Sequence, residues 1–429
     1  MSKSILALAG LAASGTAMAQ SSVTLFGVAD AAVSYYSTKS VLYFSPIASL
    51  PPIATPAEVQ LSQTALSSGG NASSRFGFRG TEDLGGGLAA SFWLEAGFNQ
   101  DTGLIPNAAF ARRSTVSLSS NNFGEVRLGR DYVPTYWNES VFDPMGAVGV
   151  GENLIKTVSG AIAIARGPGS PVSSTDNAVR ASNSVGYFLP RNLGGFYGQL
   201  MYALPENVDS SNVAGSPSTK GRYYGGRFGY ASGPLDIAVA YGESSAADAA
   251  TLTAAGVPTG GWLSESLRTV NLGASYDFGI LKLMGEVSQV RDRTNRVGPG
   301  RGLIRPPAVK ENDNYNGAMI GMTVPLGAGM FKASIARVDF DNDLGVVPPG
   351  SPERDASVSK LAVGYVYNLS KRTALYATMA RVRVNDGQNN PAIMGVSAGG
   401  LAYLPAGSAT SGFAPRSATG YDFGLRHTF

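Results

Sequence analysis

The chain has 429 residues, and only 15% of them are charged, against roughly a quarter in ordinary soluble domains. A mean hydropathy near zero is too polar for a helical membrane protein, and a formal charge of +3 is too small to name a class of partner. With no cysteine there is neither a disulfide framework nor a thiolate site, which suits a chain that folds beyond an oxidising compartment.

The N-terminus reads as an export signal. Lys3 gives a charged start, Ile5 to Ala13 an apolar run too short to span a bilayer, and Ala17-Met18-Ala19 a small-x-small cleavage site. Residues 1–19 are therefore expected to be removed, leaving 20–429 as one β-barrel domain in the outer membrane.

From there the sequence alternates between two textures. Stretches of about ten residues with period-two hydrophobicity match transmembrane strands. They fall near 23–36, 73–80, 88–98, 110–119, 124–131, 178–188, 195–204, 222–231, 235–243, 267–278, 280–291, 313–325, 329–340, 356–369, 373–384 and 416–429. Between them, tight turns such as 82–86, 121–123, 232–234 and 369–371 mostly alternate with long connections at 37–72, 132–176, 205–220, 244–266, 292–312, 341–356 and 385–415. That spacing predicts an all-β fold, a closed antiparallel barrel of sixteen strands with tight turns at one end and long loops at the other.

Parity assigns the faces. Leu235, Ile237, Val239 and Tyr241 share one face of their strand; Val270, Leu272, Tyr276 and Phe278 share one of theirs, leaving Asn271 and Ser275 inside. The last strand puts Tyr421, Phe423, Leu425, His427 and Phe429 toward lipid and Asp422, Gly424 and Arg426 toward the lumen. It must pair with 23–36, because an open edge in lipid costs several kcal/mol per unpaired backbone group. Tyr421, Phe423, Leu425 and terminal Phe429 are the expected assembly signal.

Several stretches carry a family resemblance: Ser22 to Asp30, Ser74 to Leu88 with its Arg-Gly-Thr-Glu-Asp-Leu-Gly turn, Phe123 to Arg130, and Tyr421 to Phe429. Together they resemble the general trimeric porins of β-proteobacteria, the Gram-negative porin type found in Neisseria, Burkholderia and Bordetella. The resemblance implies a homotrimer, a third long loop folded into the lumen, and passive diffusion of ions and small hydrophilic solutes, anionic or neutral. It also implies contact with outer-membrane lipid and lipopolysaccharide, with periplasmic chaperones and with the barrel assembly machinery. No cofactor and no nucleic acid are expected.

The residues agree with that picture. Sixteen strands leave an aqueous channel, which something must narrow, and the connection 132–176 is the candidate. Arg75, Arg79, Arg113, Arg127 and Arg180 have lumen parity on early strands, and Lys332, Arg381 and Arg383 are read the same way. Arg112 has the wrong parity unless a bulge exchanges it with Arg113. Rings of arginine favour anions, and Glu139 and Asp143 on the loop are expected opposite them, setting a transverse field. Trp93 has lumen parity and is expected to pack under a loop.

Two other readings are weaker. An enzyme would need a general base, and the single histidine, His427, has lipid parity two residues from the end. A plain adhesive anchor would need only about eight strands with a filled interior.

Overall fold

The computed structural model describes residues 22–44, 53–105, 109–165, 177–206, 221–252, 258–297, 309–343, 355–387, 391–404 and 411–429. The expected cleavage after Ala19 lies outside them. The strands are β1 (Ser22–Phe44), β2 (Ile53–Ser68), β3 (Arg75–Gly85), β4 (Leu88–Gly97), β5 (Arg113–Ser120), β6 (Gly124–Tyr132), β7 (Arg180–Phe188), β8 (Phe196–Ala203) and β9 (Tyr223–Ser232). They continue as β10 (Leu235–Leu252), β11 (Pro258–Asp277), β12 (Lys282–Val297), β13 (Val309–Leu326), β14 (Gly329–Asp343), β15 (Ala356–Asn368), β16 (Thr373–Asn385) and β17 (Ser411–Thr428).

All seventeen lie in one antiparallel sheet, closed by β17 pairing with β1 from Val28↔Thr428 to Phe44↔Ser411. On its other side β1 pairs with β2 along its upper part and with β3 along its lower part, Ser22↔Thr81 to Val28↔Arg75. β2 and β3 are thus two halves of one wall position, and the ring has sixteen positions, as the sequence implied. Residues 69–74 break that position and fold against Asp30, whose Oδ2 accepts the N–H groups of Asn71 and Ala72 at 3.1 and 2.7 Å.

Three expected loops contain strand. The connection 37–72 is a β1–β2 pair matched up to Phe44↔Ile53, and the described ends of 244–266 and 292–312 are extensions of β10 to β13. These extensions rise past the apolar belt. With no lipid-facing row to write, their sequences lose the alternation that marks a membrane strand.

Side chains that a soluble fold would bury lie outside. Leu272, Val287, Leu361 and Phe423 are exposed, while Asn271, Glu286, Lys360 and Asp422 on the same strands are buried inside. Toward the loop end of β12 to β16 the faces invert. Val290, Val338, Phe340, Val358, Val382 and Val384 point inward and are buried, and Arg291, Arg337, Asp339, Arg381 and Arg383 point outward. Arg381 and Arg383 are therefore not lumen residues. The inward valines need a partner, and the connection between β6 and β7 supplies it.

That connection forms α1 (Pro134–Val141) and α2 (Leu154–Ala165). Along α1, Asn138 Nδ2 donates to Ala238 O at 3.0 Å, and Asn271 Nδ2 donates to Thr135 O at 3.0 Å. Further on, Asn153 Nδ2 donates to Glu286 Oε2, Lys360 Nζ to Glu152 O, and Val150 N–H to Asp422 Oδ2, at 2.8, 2.8 and 3.0 Å. Val150, Leu154, Ile155 and Val158 pack with Val338, Phe340, Val382 and Ile393 in one buried cluster. These wall partners are on inward faces, and Val133, Tyr136 and Ala147 at the start of the connection pack in turn with Ala181, Met201, Ala203 and Tyr223 of β7 to β9. Among the described residues no helix is long and apolar enough to cross a membrane.

Candidate functional site

The wall from β3 to β7 carries the arginines. Cross-strand pairing sets their facing: Arg79↔Trp93, Gly77↔Glu95 and Glu95↔Arg113 share the inner face, with Phe76, Phe78 and Leu94 on the other. Glycine at 77 leaves room between Arg75 and Arg79, because a side chain there would strike Leu94 O and the Phe26 ring.

The arginines form two tiers. In the upper one, Glu95 is clasped by Arg112, Nε to Oε1 at 2.6 Å, and by Arg75 at 3.7 Å. Arg112 and Arg180 both donate to the Tyr132 hydroxyl, at 3.1 and 3.0 Å, and Arg180 Nε donates to Arg112 O at 2.8 Å. The Arg180 guanidinium also lies 4.5 Å from the Tyr132 ring centre, and Tyr132 stacks on Tyr136 of α1 at 5.0 Å. The lower tier centres on Asp131, which Arg127 and Arg113 approach from two strands; Arg127 also bonds Glu125 at 2.9 Å. Arg113 and Arg79 stand 4.5 and 5.2 Å over Trp93, so that residue supports arginines rather than a loop.

Both Arg112 and Arg113 reach the site. Arg112 sits just before β5, where strand parity does not bind it, so its side chain turns inward above Arg113. On β6, Asp131 follows the inward parity of Glu125 and Arg127, and Arg130 stays outside, donating to Ala111 O and Ser182; the register irregularity opposite it, between Gly129 and Asp131, takes up its extra residue on β7. Four inward guanidiniums, Arg75, Arg112, Arg113 and Arg127, thus share the carboxylates of Glu95, Glu125 and Asp131; Arg79 over Trp93 and Arg180 over Tyr132 bring the wall to six guanidiniums, a surplus of three positive charges.

The loop acids do not line an open gap as expected. Asp143 is buried and accepts the N–H groups of Met145, Ala147 and Asn153 at 2.9, 2.7 and 3.1 Å, so it shapes the loop's turn. Burial pushes its carboxyl up to about 6, against the pull of those N–H groups. Glu139 is also buried, with one carboxyl oxygen unpartnered, and burial pushes it up to about 8 although Lys156 lowers it. Acids on a segment that must dock against a wall are oriented by the docking, which their spacing in sequence does not show.

Parity could have found one further residue. Arg227 alternates with the exposed Phe228 and bonds Asn138 of α1 and Tyr197 from β9. On the turn side of the loop, Arg113, Arg127 and Arg227 share a cavity of about 940 Å³ with Glu125, Trp137 and Phe188. No cluster of His, Cys, Asp or Glu fit for a metal occurs among the described residues.

Comparisons with known proteins give the arrangement a family. The Gram-negative porin family matches residues 5–387. The outer membrane porin protein 32 of Delftia acidovorans is 36% identical over the full length of both chains. An outer membrane porin of Bordetella pertussis is 30% identical over 88% of this chain and 93% of its own. Among solved structures, an anion-selective porin from Comamonas acidovorans superposes with a TM-score of 0.67 at 32% identity, covering 96% of this chain and 100% of that one. A loop L8 deletion mutant of OmpT of Vibrio cholerae, at 12% identity and a TM-score of 0.54 over 95% of this chain and 99% of that one, shares the fold. With the family matched along most of its length and relatives at 36% and 30% identity, this chain belongs to the Gram-negative porins, as a channel-forming protein of the outer membrane.

Proposed function

We propose that the channel prefers anions and that the six inward arginines of β3 to β7 set the preference. The carrying observation is the charge imbalance on that wall, six guanidiniums to three carboxylates. Low-dielectric walls focus the field of fixed charges across a narrow aqueous gap, so a surplus of three positive charges enriches anions there. The segment 133–165, lying against the opposite wall, narrows the passage and holds it beside the arginines. Likeness to the Comamonas anion-selective porin supports the same reading. The protein assembles as a homotrimer, with the mature chain starting at Gln20 and assembly through periplasmic chaperones and the barrel machinery.

Reversal potentials in a salt gradient across a planar bilayer test the reading. Anion preference is expected. Replacing Arg75, Arg113 and Arg180 together by Gln should bring the ratio toward unity, while a cation-selective parent channel, or an unchanged ratio in the variant, refutes the assignment.

A further inference from the structure

On the turn side of the docked loop, one row of side chains crosses the inner wall from strand to strand. Glu125 on β6 pairs with Phe188 on β7, Phe188 with Gln199 on β8, and Gln199 with Arg227 on β9. Partners in an antiparallel register share a face, and all four line the cavity of about 940 Å³ described above. Trp137 of α1 lines it from the loop, its indole held edge-on to Tyr132 with ring centres 5.2 Å apart.

Three donors in this cavity have an acceptor missing. Gln199 is only 7% exposed, yet its Nε2 has no hydrogen-bond partner among the described residues. Trp137 Nε1 is buried and has none either. Arg227 gives Nε to Asn138 Oδ1 and one terminal nitrogen to the Tyr197 hydroxyl; Asp236 reaches it only through that hydroxyl, which donates to Asp236 Oδ1. No carboxylate among the described residues lies within ion-pair distance of Arg227. Buried donors without acceptors are costly, so their gathering at one place calls for an acceptor from outside the fold. An amide and a guanidinium side by side in the register suit the two oxygens of a carboxylate.

The neighbouring part of the cavity is apolar. Phe188 points inward, with Leu189 and Pro190 next to it, and the Arg127 guanidinium lies 4.0 Å from the Phe188 ring centre. Water gives an inward phenylalanine nothing to pack against, whereas a second ring does. From Phe188 to Arg227 is two strand spacings, roughly 10 Å, room for one ring and its carboxylate.

We propose that this cavity is a binding subsite for single-ring aromatic carboxylates passing through the channel. The carboxylate accepts from Arg227, Gln199 and Trp137, and the ring lies against Phe188 and Leu189. Entry of such a ligand rests on the anion preference proposed above, but Gln199, Trp137 and Phe188 are not among the residues that set it.

Planar-bilayer recordings in KCl test the subsite with benzoate, with acetate as the charge without the ring, and with benzyl alcohol as the ring without the charge. The channels are the parent, Gln199→Met, Phe188→Leu and Lys371→Gln, the last a charge change in the distant β15–β16 turn. Reversal potential is read first, then the saturable fall in chloride current with added solute. In the parent and Lys371→Gln, benzoate should act at concentrations at least roughly tenfold below acetate, and benzyl alcohol should have no effect. Gln199→Met removes an amide that holds nothing else in the protein; it should keep the parental reversal potential and need roughly tenfold more benzoate. Phe188→Leu should weaken benzoate a few-fold and leave acetate unchanged. An anion-selective parent whose current ignores benzoate, or responds equally to acetate, overturns the subsite alone. Equal benzoate sensitivity in Gln199→Met and the parent overturns it too, and a cation-selective parent overturns both readings.

Discussion

Phe429 and Gly27 exchange both backbone hydrogen bonds, at 3.0 and 3.1 Å, and the Phe429 ring covers the face of Gly27 where a Cβ would otherwise stand. The last residue of the chain is thus the last rung of the β1–β17 seam. Deleting Phe429 should lower the yield of folded, heat-modifiable barrels while leaving the conductance of those that form unchanged. Normal assembly of the truncated chain would count against this. Gly27→Val should have the same phenotype, because the side chain and the ring cannot share that space.

The upper tier depends on Glu95. Glu95→Gln removes the carboxylate that Arg112 and Arg75 share, and loss of a partner from such charge-assisted bonds costs about 1–3 kcal/mol. The variant should unfold at lower temperature yet show a stronger anion preference, since the positive surplus grows by one. Reversal potential and gel-shift temperature move in opposite directions under this account. A weaker anion preference in Glu95→Gln would show that Glu95 chiefly positions the arginines.

Much of this was legible in the sequence because lipid forces a pattern on it. The row Val270, Leu272, Tyr276 and the inward Arg75, Arg79, Arg113 and Arg127 follow from a period of two. The pattern fails where lipid ends. Arg381 and Arg383 were placed in the lumen on the rule of polar in and apolar out, but at that height the valines face α2 and the arginines face away from it. β2 was missed for the same reason: Glu58, Gln60 and Gln63 write no apolar row. The burial of Glu139 and Asp143 depends on contacts with strands more than a hundred residues later, such as Asn153 with Glu286, which local spacing does not encode.

Docking of the loop should weaken as pH rises. Glu139 has its affinity for a proton raised by burial, from an ordinary 4.5 to about 8, so the docked state binds more protons than the undocked one between those values. Stability is then full below the lower value and falls as pH climbs toward about 8. Asp143 adds to the trend between 3.8 and about 6. Amide exchange in 134–165 should therefore accelerate between pH 5 and pH 8 beyond its intrinsic base dependence, and Glu139→Gln should flatten the change. An equal slope in parent and variant would remove Glu139 from the explanation.

Gly149 holds the loop's turn toward the seam. It has φ of +67°, and a Cβ there would strike Gly70 O. Gly149→Val carries a left-handed strain of about 1–3 kcal/mol plus that clash, so it should free the loop tip. Larger single-channel conductance with barrel yield preserved is the expected result; a parental conductance would mean the tip does not set the aperture.

The carboxylate of Asp422 accepts the Ser34 hydroxyl from β1 through one oxygen and the Val150 N–H from the loop through the other, at 2.6 and 3.0 Å. The three groups span the chain: Ser34 lies near its start, Val150 in the loop and Asp422 near its end. The anchorage for Val150 is complete only once the first and last strands have met. The loop's hold at Val150 is therefore tied to ring closure, whereas its bonds to Ala238, Asn271, Glu286 and Lys360 are not, so the seam and the final seating of the loop are completed together.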